Sequence, residues 1–563
     1  MHYPFSPRTA AAIGAALLAT VVSGQAPDQG TKPVASAPKA MVSTSNPEVT
    51  RAALEVMKNG GNAVDAMITA LILQPILEPQ MSTLAGGLGA LIYEAKTGKV
   101  YYLDAELDHT SKGAPVSWTL GAPTGVPETS GRRIGVPGTV AGLQAAAERF
   151  GTRKWPEYFE PAVRLAEQGF PMYSFLYAEM AEAALGRLSA YPSGREEYLP
   201  QGYTPPVGTT VRRPNLARTL RRLAAEGPDY FYKGEWAHHF VDAVQATGGS
   251  LTLEDLGAYR VRWEEPVRTT YQGVDIVSAP PPSNGGMLIE MILNLDEQFD
   301  LRAMPHYTES SATLSLMRRI FEAAEANVLF YVRDPLSANV PVTTLLSKDY
   351  AKMLAQLIRG SAPLAPPAPA GEVPSGPASA GHDPLSSDTN HLVIADPMGN
   401  IVSVTHTVYG STFATGLVVD GVGMNSGNEF PGTGAGPGRR VISPFPATML
   451  LRGGKVWMAL GSPGLSSRAV SIMLTNLLGF GQDVVAAVDA PRFQGSLPFD
   501  TFLVESRVPE PVRAGLAAQG VRVQPTTPYN WHFGSMQVVV RDEKTGGWIG
   551  VADPRRGGWA AGF

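Results

Sequence analysis

The run Asp388-Thr389-Asn390-His391-Leu392-Val393-Ile394-Ala395-Asp396, then Pro397-Met398-Gly399-Asn400, then Ile401 to Val408 decides how this chain is read. It reads as strand, tight turn and strand. With a Pro397-Met398-Gly399 loop, Asp396 pairs with Asn400 and Gly399 takes the third loop position, where φ is positive. That register sets Thr389 opposite Thr407. Period-two alternation puts Ser403, Thr405 and Thr407 on one face. Upstream, Ser361 to Gly381 (SAPLAPPAPAGEVPSGPASAG) is too rich in Pro, Ala and Gly to fold compactly. A disordered run that stops just short of a strand beginning with Thr points to a chain cut between Asp388 and Thr389. The freed α-amine, with a pKa near ~8, can take the proton of the Thr hydroxyl, and such a pair is an activated nucleophile. The competing reading is that these Thr and Ser residues are ordinary strand formers. The residues alone leave both open.

The 563 residues are 44% hydrophobic and 17% charged, a globular composition long enough for a large core. Nothing before residue 361 reads as a linker, so one large domain is expected. The net charge of −5 carries no basic excess, and no nucleic-acid partner is expected. The absence of Cys removes disulfides, thiolate catalysis and Cys-metal sites. The nine His are scattered without metal-ligand spacing, and His238-His239 reads as a solvated helix face. No metal and no cofactor is called for. Residues 1–24 read as an export signal, with Arg8 near the start, an apolar Ala10 to Val22 and small residues at Val22-Ser23-Gly24. The alternative is a frayed apolar N-terminus. The apolar run is shorter than the ~20 residues that span a bilayer. A periplasmic or secreted protein with no membrane span after signal removal is therefore expected, with Gln25 to Pro38 as a flexible lead-in.

In chain order, Pro47 to Leu77 has helical spacing, capped at Ser45 or Asn46 and interrupted at Gly60-Gly61-Asn62. Its second half is apolar all round and must be buried. Leu84 to Ala90 (LAGGLGA) leads into a strand at Leu91-Ile92-Tyr93, with a hairpin partner over Val100 to Leu103. That Gly cluster lacks the Lys-Ser/Thr ending of a phosphate loop and reads as close backbone packing. Helices are expected over Thr139–Phe150, Trp155–Gly169, Pro214–Glu226, Gly234–Thr247, Met287–Leu295, Ala312–Tyr331, Asp349–Arg359 and Ser466–Leu478. Strands are expected over Arg260–Tyr271, Val274–Ser278, Met449–Leu460 (two, around Arg452-Gly453-Gly454), Phe502–Glu505, Gln537–Arg541 and Trp548–Val551. Hairpins outnumber βαβ units, which fits helices layered on antiparallel sheets, an α+β fold.

Several motifs in order resemble those of the γ-glutamyltranspeptidases (glutathione hydrolases), of the N-terminal nucleophile hydrolase superfamily. They are Gly60-Gly61-Asn62-Ala63-Val64-Asp65-Ala66, Pro137-Gly138-Thr139-Val140-Ala141-Gly142, Phe231-Tyr232-Lys233-Gly234, Asp255-Leu256-Gly257-Ala258-Tyr259, Pro280 to Gly286, Thr389-Asn390-His391, Thr405-His406-Thr407, Gly461-Ser462-Pro463-Gly464, Ala490-Pro491-Arg492-Phe493 and Ala552-Asp553-Pro554-Arg555. The resemblance implies a four-layer αββα sandwich and a precursor that cleaves itself. The Thr389 hydroxyl would attack the Asp388 carbonyl, giving a large subunit (25–388, ending in the disordered 361–381 tail) and a small one (389–563) that stay together as a heterodimer. Thr389 would then be the catalytic nucleophile, with Thr407 hydrogen-bonded to it and the Gly464 and Leu465 N–H groups forming an oxyanion hole. The expected activity is that of a γ-glutamyltransferase or glutathione hydrolase, passing the acyl group of a γ-glutamyl amide such as glutathione to water or an amine.

The sequence departs from the family at the acyl-binding positions. Glu106, in Leu103-Asp104-Ala105-Glu106, stands where the family has the Arg that clamps the substrate α-carboxylate. Ser443-Pro444 replaces its Ser-Ser pair, and Pro has neither hydroxyl nor N–H. Tyr409 or Gly410 stands in place of an Asn. Glu429 matches the acidic residue that holds the α-amine. A substrate carboxylate beside Glu106 is expected to be repelled, so the alternative donor is an amide with a less anionic acyl portion, as in the cephalosporin-acylase-like members. Two further readings stay open: that Arg132 or Arg133 supplies the clamp, and that the chain is an exported non-catalytic relative.

Overall fold

The computed structural model describes residues 33–112, 126–360, 389–430, 439–495 and 501–563, with the short strands Trp118–Thr119 and Ala122–Pro123. The expected signal (1–24), the 361–381 tail and Asp388 lie outside them.

The hairpin register is the one the loop predicts. Thr389–Ala395 runs antiparallel to Ile401–Thr407, with Thr389 opposite Thr407 and Ala395 opposite Ile401. Asp396 builds the turn. Its carboxylate accepts the Met398 and Asn400 N–H groups at 2.8 and 3.0 Å, and Gly399 sits at φ 88°. The same carboxylate accepts the Ala63 N–H at 2.9 Å. The hairpin turn thereby caps the buried helix Ala63–Leu77, whose own start is closed by an Asn62–Asp65 capping box.

Around this hairpin lie two seven-stranded sheets. The first orders its strands 559–562, 41–44, 389–395, 401–407, 87–94, 99–105 and 262–264; the second runs 34–37, 548–552, 537–541, 455–461, 448–452, 274–278 and 267–271. Neighbouring strands in both are antiparallel. Odd-numbered hairpin residues Val393 and Ala395 pack in the interlayer core with Leu91 and Tyr102 from their own sheet and Val277, Met449 and Val539 from the other. Even-numbered Leu392 and Ile394 face outward, under the Ala63–Leu77 helix. The outer face of the second sheet is covered by Gly285–Asp296 and Ser467–Leu474. The layers are therefore helix, sheet, sheet, helix: the αββα sandwich.

Five local expectations are corrected. The Arg260–Tyr271 strand divides into Arg262–Glu264, at the edge of the first sheet, and Val267–Tyr271, at the edge of the second. Gln25–Pro38 is not all lead-in, because Val34–Ala37 pairs with Trp548–Val551 and edges the second sheet. The Gly-dense run is itself strand, which spans Gly87–Glu94. The Trp155–Gly169 helix breaks into a 3₁₀ turn, Trp155–Tyr158, and a helix, Glu160–Gln168. Ser467–Leu474 is followed by a π-helical turn over Thr475–Gly479. The closing strand Trp559–Gly562, beside Met41–Thr44, carries no polar–apolar alternation and goes unread in the sequence.

Candidate active site

Thr389 opens its strand at the end of the interlayer space. The Asp396 N–H bonds the Asn400 carbonyl. Alternation from there makes Asn390–His406 a hydrogen-bonded pair and Thr389–Thr407 a non-hydrogen-bonded one. Side chains approach most closely at the latter kind, and the Thr389 and Thr407 hydroxyl oxygens lie 2.9 Å apart. The Tyr409 N–H donates to the Thr407 hydroxyl oxygen at 2.9 Å, and Tyr409 is held at φ 59°. On the same face, Ser403 donates to the Leu460 carbonyl of the other sheet at 2.9 Å. His391 Nε2, 2.9 Å from that Ser403 oxygen, must then be the donor, and Nδ1 accepts from Thr405 at 3.0 Å. Burial drops the His391 pKa to about 3. It is a neutral cross-sheet strut and does not touch Thr389.

Glu106 is fully buried. Its two oxygens meet the Tyr102 hydroxyl at 3.0 Å and the Ser443 hydroxyl. Burial, and next the charge of Asp104, raise its pKa well above the usual carboxylate range. Burial therefore works against the negative charge on which the expected repulsion at position 106 depends. A Cβ on Gly87 would meet the Tyr409 ring at 2.9 Å and the Glu106 Cα at 3.2 Å, so Tyr409 lies over the first residue of that strand and beside Glu106. Tyr409 also packs on Phe430 and Phe445, with ring centroids 5.2 and 5.8 Å apart, in an apolar cluster with Leu107 and Val441.

Glu429 sits against Gly410, the residue after Tyr409. It is buried and ion-paired with Arg133. The Arg133 guanidinium also donates to the Pro127 and Val126 carbonyls at 3.0 and 2.8 Å. Arg133 is thus fixed on Glu429 rather than presented as a carboxylate clamp, and Arg132 is exposed. Asn425 holds this turn. It accepts the Gly135 and Gly427 N–H groups and donates to the Ala85 and Gly135 carbonyls. Arg440 is buried between Asp104 and Asp108.

Gly464, at φ 71°, begins the loop that enters the Ser467–Leu474 helix. The Leu465 N–H donates to the His532 carbonyl at 3.1 Å. Arg556 donates to the Thr389 carbonyl at 3.1 Å and to the Trp531 carbonyl at 3.0 Å. Two buried carboxyls feel its charge. Glu78 is pushed up to about 7 by burial, against Ser45, Arg556 and Asn390. Glu179 is also pushed up to about 7 by burial, with Arg556 the main opposing influence. The Ser45 hydroxyl lies 2.7 Å from Glu78 and 2.8 Å from the Asn390 amide oxygen. One hydroxyl cannot donate to both acceptors; a protonated Glu78 donating to Ser45, or an Asn390 amide turned to present its nitrogen, resolves the conflict.

A family profile described as Gamma-glutamyltranspeptidase matches residues 49–563. The chain belongs to the gamma-glutamyltranspeptidase family. It is 32% identical over 557 residues to the glutathione hydrolase proenzyme of Bacillus subtilis (strain 168), covering 93% of this chain and 91% of that one. It is 30% identical to the acylase ACY 1 proenzyme of Pseudomonas sp. (strain SE83), covering 87% and 88% of the two. Among solved structures, the cephalosporin acylase from Bacillus halodurans superposes with a TM-score of 0.78 at 26% identity, covering 96% of this chain and 98% of that one.

As a member of the gamma-glutamyltranspeptidase family, the chain brings Thr389, Thr407 and Tyr409 into direct contact and sets Glu106, Ser443 and Glu429 around Tyr409. Gly464 and Leu465 reach this group through Arg556 and the 531–534 turn. Sequence reasoning missed Tyr102, Glu78 and Arg556. It also missed the Arg133–Glu429 pair, whose members are 296 residues apart. No local pattern marks a contact of that kind.

Proposed function

We propose that the protein is an exported, self-cleaving amide hydrolase and acyltransferase whose nucleophile is Thr389. In the precursor the Thr389 hydroxyl oxygen attacks the Asp388 carbonyl carbon. The Asp388–Thr389 C–N bond breaks, leaving an ester and a free Thr389 amine. Water then hydrolyses the ester, releasing the Asp388 carboxylate and the Thr389 hydroxyl. In the mature heterodimer the amine takes the hydroxyl proton as the oxygen attacks an amide substrate. Thr407 orients the nucleophile and keeps Tyr409 beside it. The Gly464 and Leu465 amides would stabilise the oxyanion, and the Leu465 N–H must leave the His532 carbonyl to do so. The observation that carries this reading is the 2.9 Å Thr389–Thr407 hydroxyl contact at the first residue of the hairpin.

The family relatives point to γ-glutamyl amides such as glutathione as donors. The acyl side of this site favours the other substrate class, an amide whose acyl portion carries no α-carboxylate. Glu106 is a buried carboxyl where a cation would be needed, Pro444 offers no donor, and Arg133 and Arg440 are each held by carboxylates. N-terminal sequencing of the purified protein tests the cut: a fragment starting at Thr389 is expected, and an uncut chain would favour the non-catalytic relative. Turnover of γ-glutamyl, glutaryl and plain acyl anilides tests the donor. Preference for the γ-glutamyl anilide would overturn the acyl assignment while leaving the nucleophile in place.

A further inference from the structure

We propose that Arg556 is a positioning residue for the acyl-transfer step, holding Thr389 against the Gly464 loop and keeping the Thr389 amine unprotonated. The proposal rests on the reading of Thr389 as nucleophile and concerns how that residue is held once it is cut.

Thr389 is poorly held by the sheet alone. On one side it faces Thr407, in a pairing without backbone hydrogen bonds, so its carbonyl and its nitrogen both point to the opposite edge. On that edge the neighbouring strand pairs only with Val393–Ala395. Residues 389–392 run past its end. After cleavage Thr389 is also a chain terminus, and strand termini fray. Arg556 takes the place of the missing strand by donating to the Thr389 carbonyl at 3.1 Å.

The same guanidinium reaches the loop. Its Nη2 lies 2.8 Å from where a Cβ on Gly464 would be, so a side chain there would collide with it. Its Nε donates to the Trp531 carbonyl, and the next carbonyl, His532, accepts the Leu465 N–H. The Trp531 ring lies under the guanidinium, 5.0 Å from its carbon. One planar group therefore ties together the nucleophile, the Gly464 loop and the turn that holds the Leu465 amide. A bidentate fork can do this and a point charge cannot.

The charge matters separately. The new amine opens on the edge where the guanidinium sits, and a like charge disfavours its protonation. Among the described residues, the titratable groups near this edge are Glu78 from the end of the Ala63–Leu77 helix, Glu179 from the π-helical turn Glu179–Ala184, and His532 from the Trp531–Phe533 turn, with Tyr173 beside both carboxyls and Arg187 and Glu182 beside Glu179. Both carboxyls are buried, and both are raised toward neutrality rather than fully ionised. The guanidinium is the charged group that contacts Thr389 directly, through its carbonyl.

The test compares the mature full-length wild type with Arg556→Gln and Arg556→Lys. The probe is phenylmethanesulfonyl fluoride, and the rate of Thr389 sulfonylation is followed by mass spectrometry from pH 5 to 9. R556Q is expected to label about tenfold more slowly or worse, with its acid limb moved up by about half a unit or more. R556K keeps the charge but loses the fork. Its acid limb should stay in place while its rate falls several-fold, which also covers the case where R556Q is not recovered. Wild-type rate and limb in R556Q, or wild-type rate in R556K, would overturn the proposal. A wild type that is uncut or unlabelled at Thr389 would instead sink the nucleophile reading beneath it.

Discussion

At the scale of single residues, the clearest departure is a carboxyl where a clamp would be useful. Glu106 is buried, and both its oxygens are matched to hydroxyls, Tyr102 and Ser443. Burial disfavours the charged form here, so an amide should replace the carboxyl at little cost. In the uncut Thr389→Ala chain, where unfolding involves one polypeptide, Glu106→Gln should change stability at pH 7 by less than about 1 kcal/mol in urea denaturation. Glu106→Ala leaves two buried hydroxyls without a partner and should cost about 3 kcal/mol. Equal, large losses in both variants would show that Glu106 is ionised. This is also where sequence reading reached its limit. Thr389 facing Thr407 follows from turn chemistry and a period of two, both local. The state of Glu106 depends on Tyr102, four residues away and readable in principle, and on Ser443, 337 residues away and not.

At the scale of elements, the Gly-dense strand Gly87–Glu94 shows what a local pattern hides. Propensity reads LAGGLGA as loop, because Gly weakens strands. Tertiary packing overrides it: the glycines are places where neighbouring side chains occupy the volume a Cβ would take. A Cβ on Gly89 would lie 2.3 Å from the Tyr102 hydroxyl and 2.6 Å from the Phe445 ring. Both belong to the wall around Tyr409 and Glu106. Gly89→Ala should therefore destabilise the uncut chain by about 1–3 kcal/mol through overpacking. It should also lower turnover of an acyl anilide more than it slows cleavage at Thr389, since the displaced groups line the acyl side. Equal effects on both steps, read from gel time courses and anilide assays, would argue against that division. The reverse error, a helix drawn straight through Trp155–Gly169, has a similar origin: 3.6-residue spacing continues across the join, but Phe159 ends one short helix and begins the next.

At the scale of the whole molecule, the sandwich buries ionisable groups along with its apolar layers, and this makes its stability depend on pH. Sheet order could not be read locally, since the two central hairpins are completed by strands from both chain ends, at 41–44 and 559–562. The same long-range closure seals Glu78 behind the hairpin, where burial raises it from 4.5 to about 7. The sign follows from linkage. A carboxyl whose folded pKa is raised binds its proton more tightly in the folded state. Its contribution is fully present below about pH 4.5, is lost as pH rises to about 7, and then stays lost. One unit is worth ~1.4 kcal/mol, so between pH 5 and pH 8 Glu78 alone should withdraw roughly 2–3 kcal/mol. Glu78→Gln cannot titrate but keeps an oxygen for Ser45. In the uncut Thr389→Ala background, its stability relative to the parent should rise by that amount between pH 5 and pH 8, measured by urea denaturation at each pH. The buried histidines act in the opposite sense. His391 and His406, held near 3 and 4, weaken the fold as pH falls below about 6.5. Because parent and variant share those histidines, the difference between them isolates Glu78. A flat difference across the range would mean that Glu78 stays ionised beside Arg556, and that Ser45 must then be donating to it rather than to Asn390.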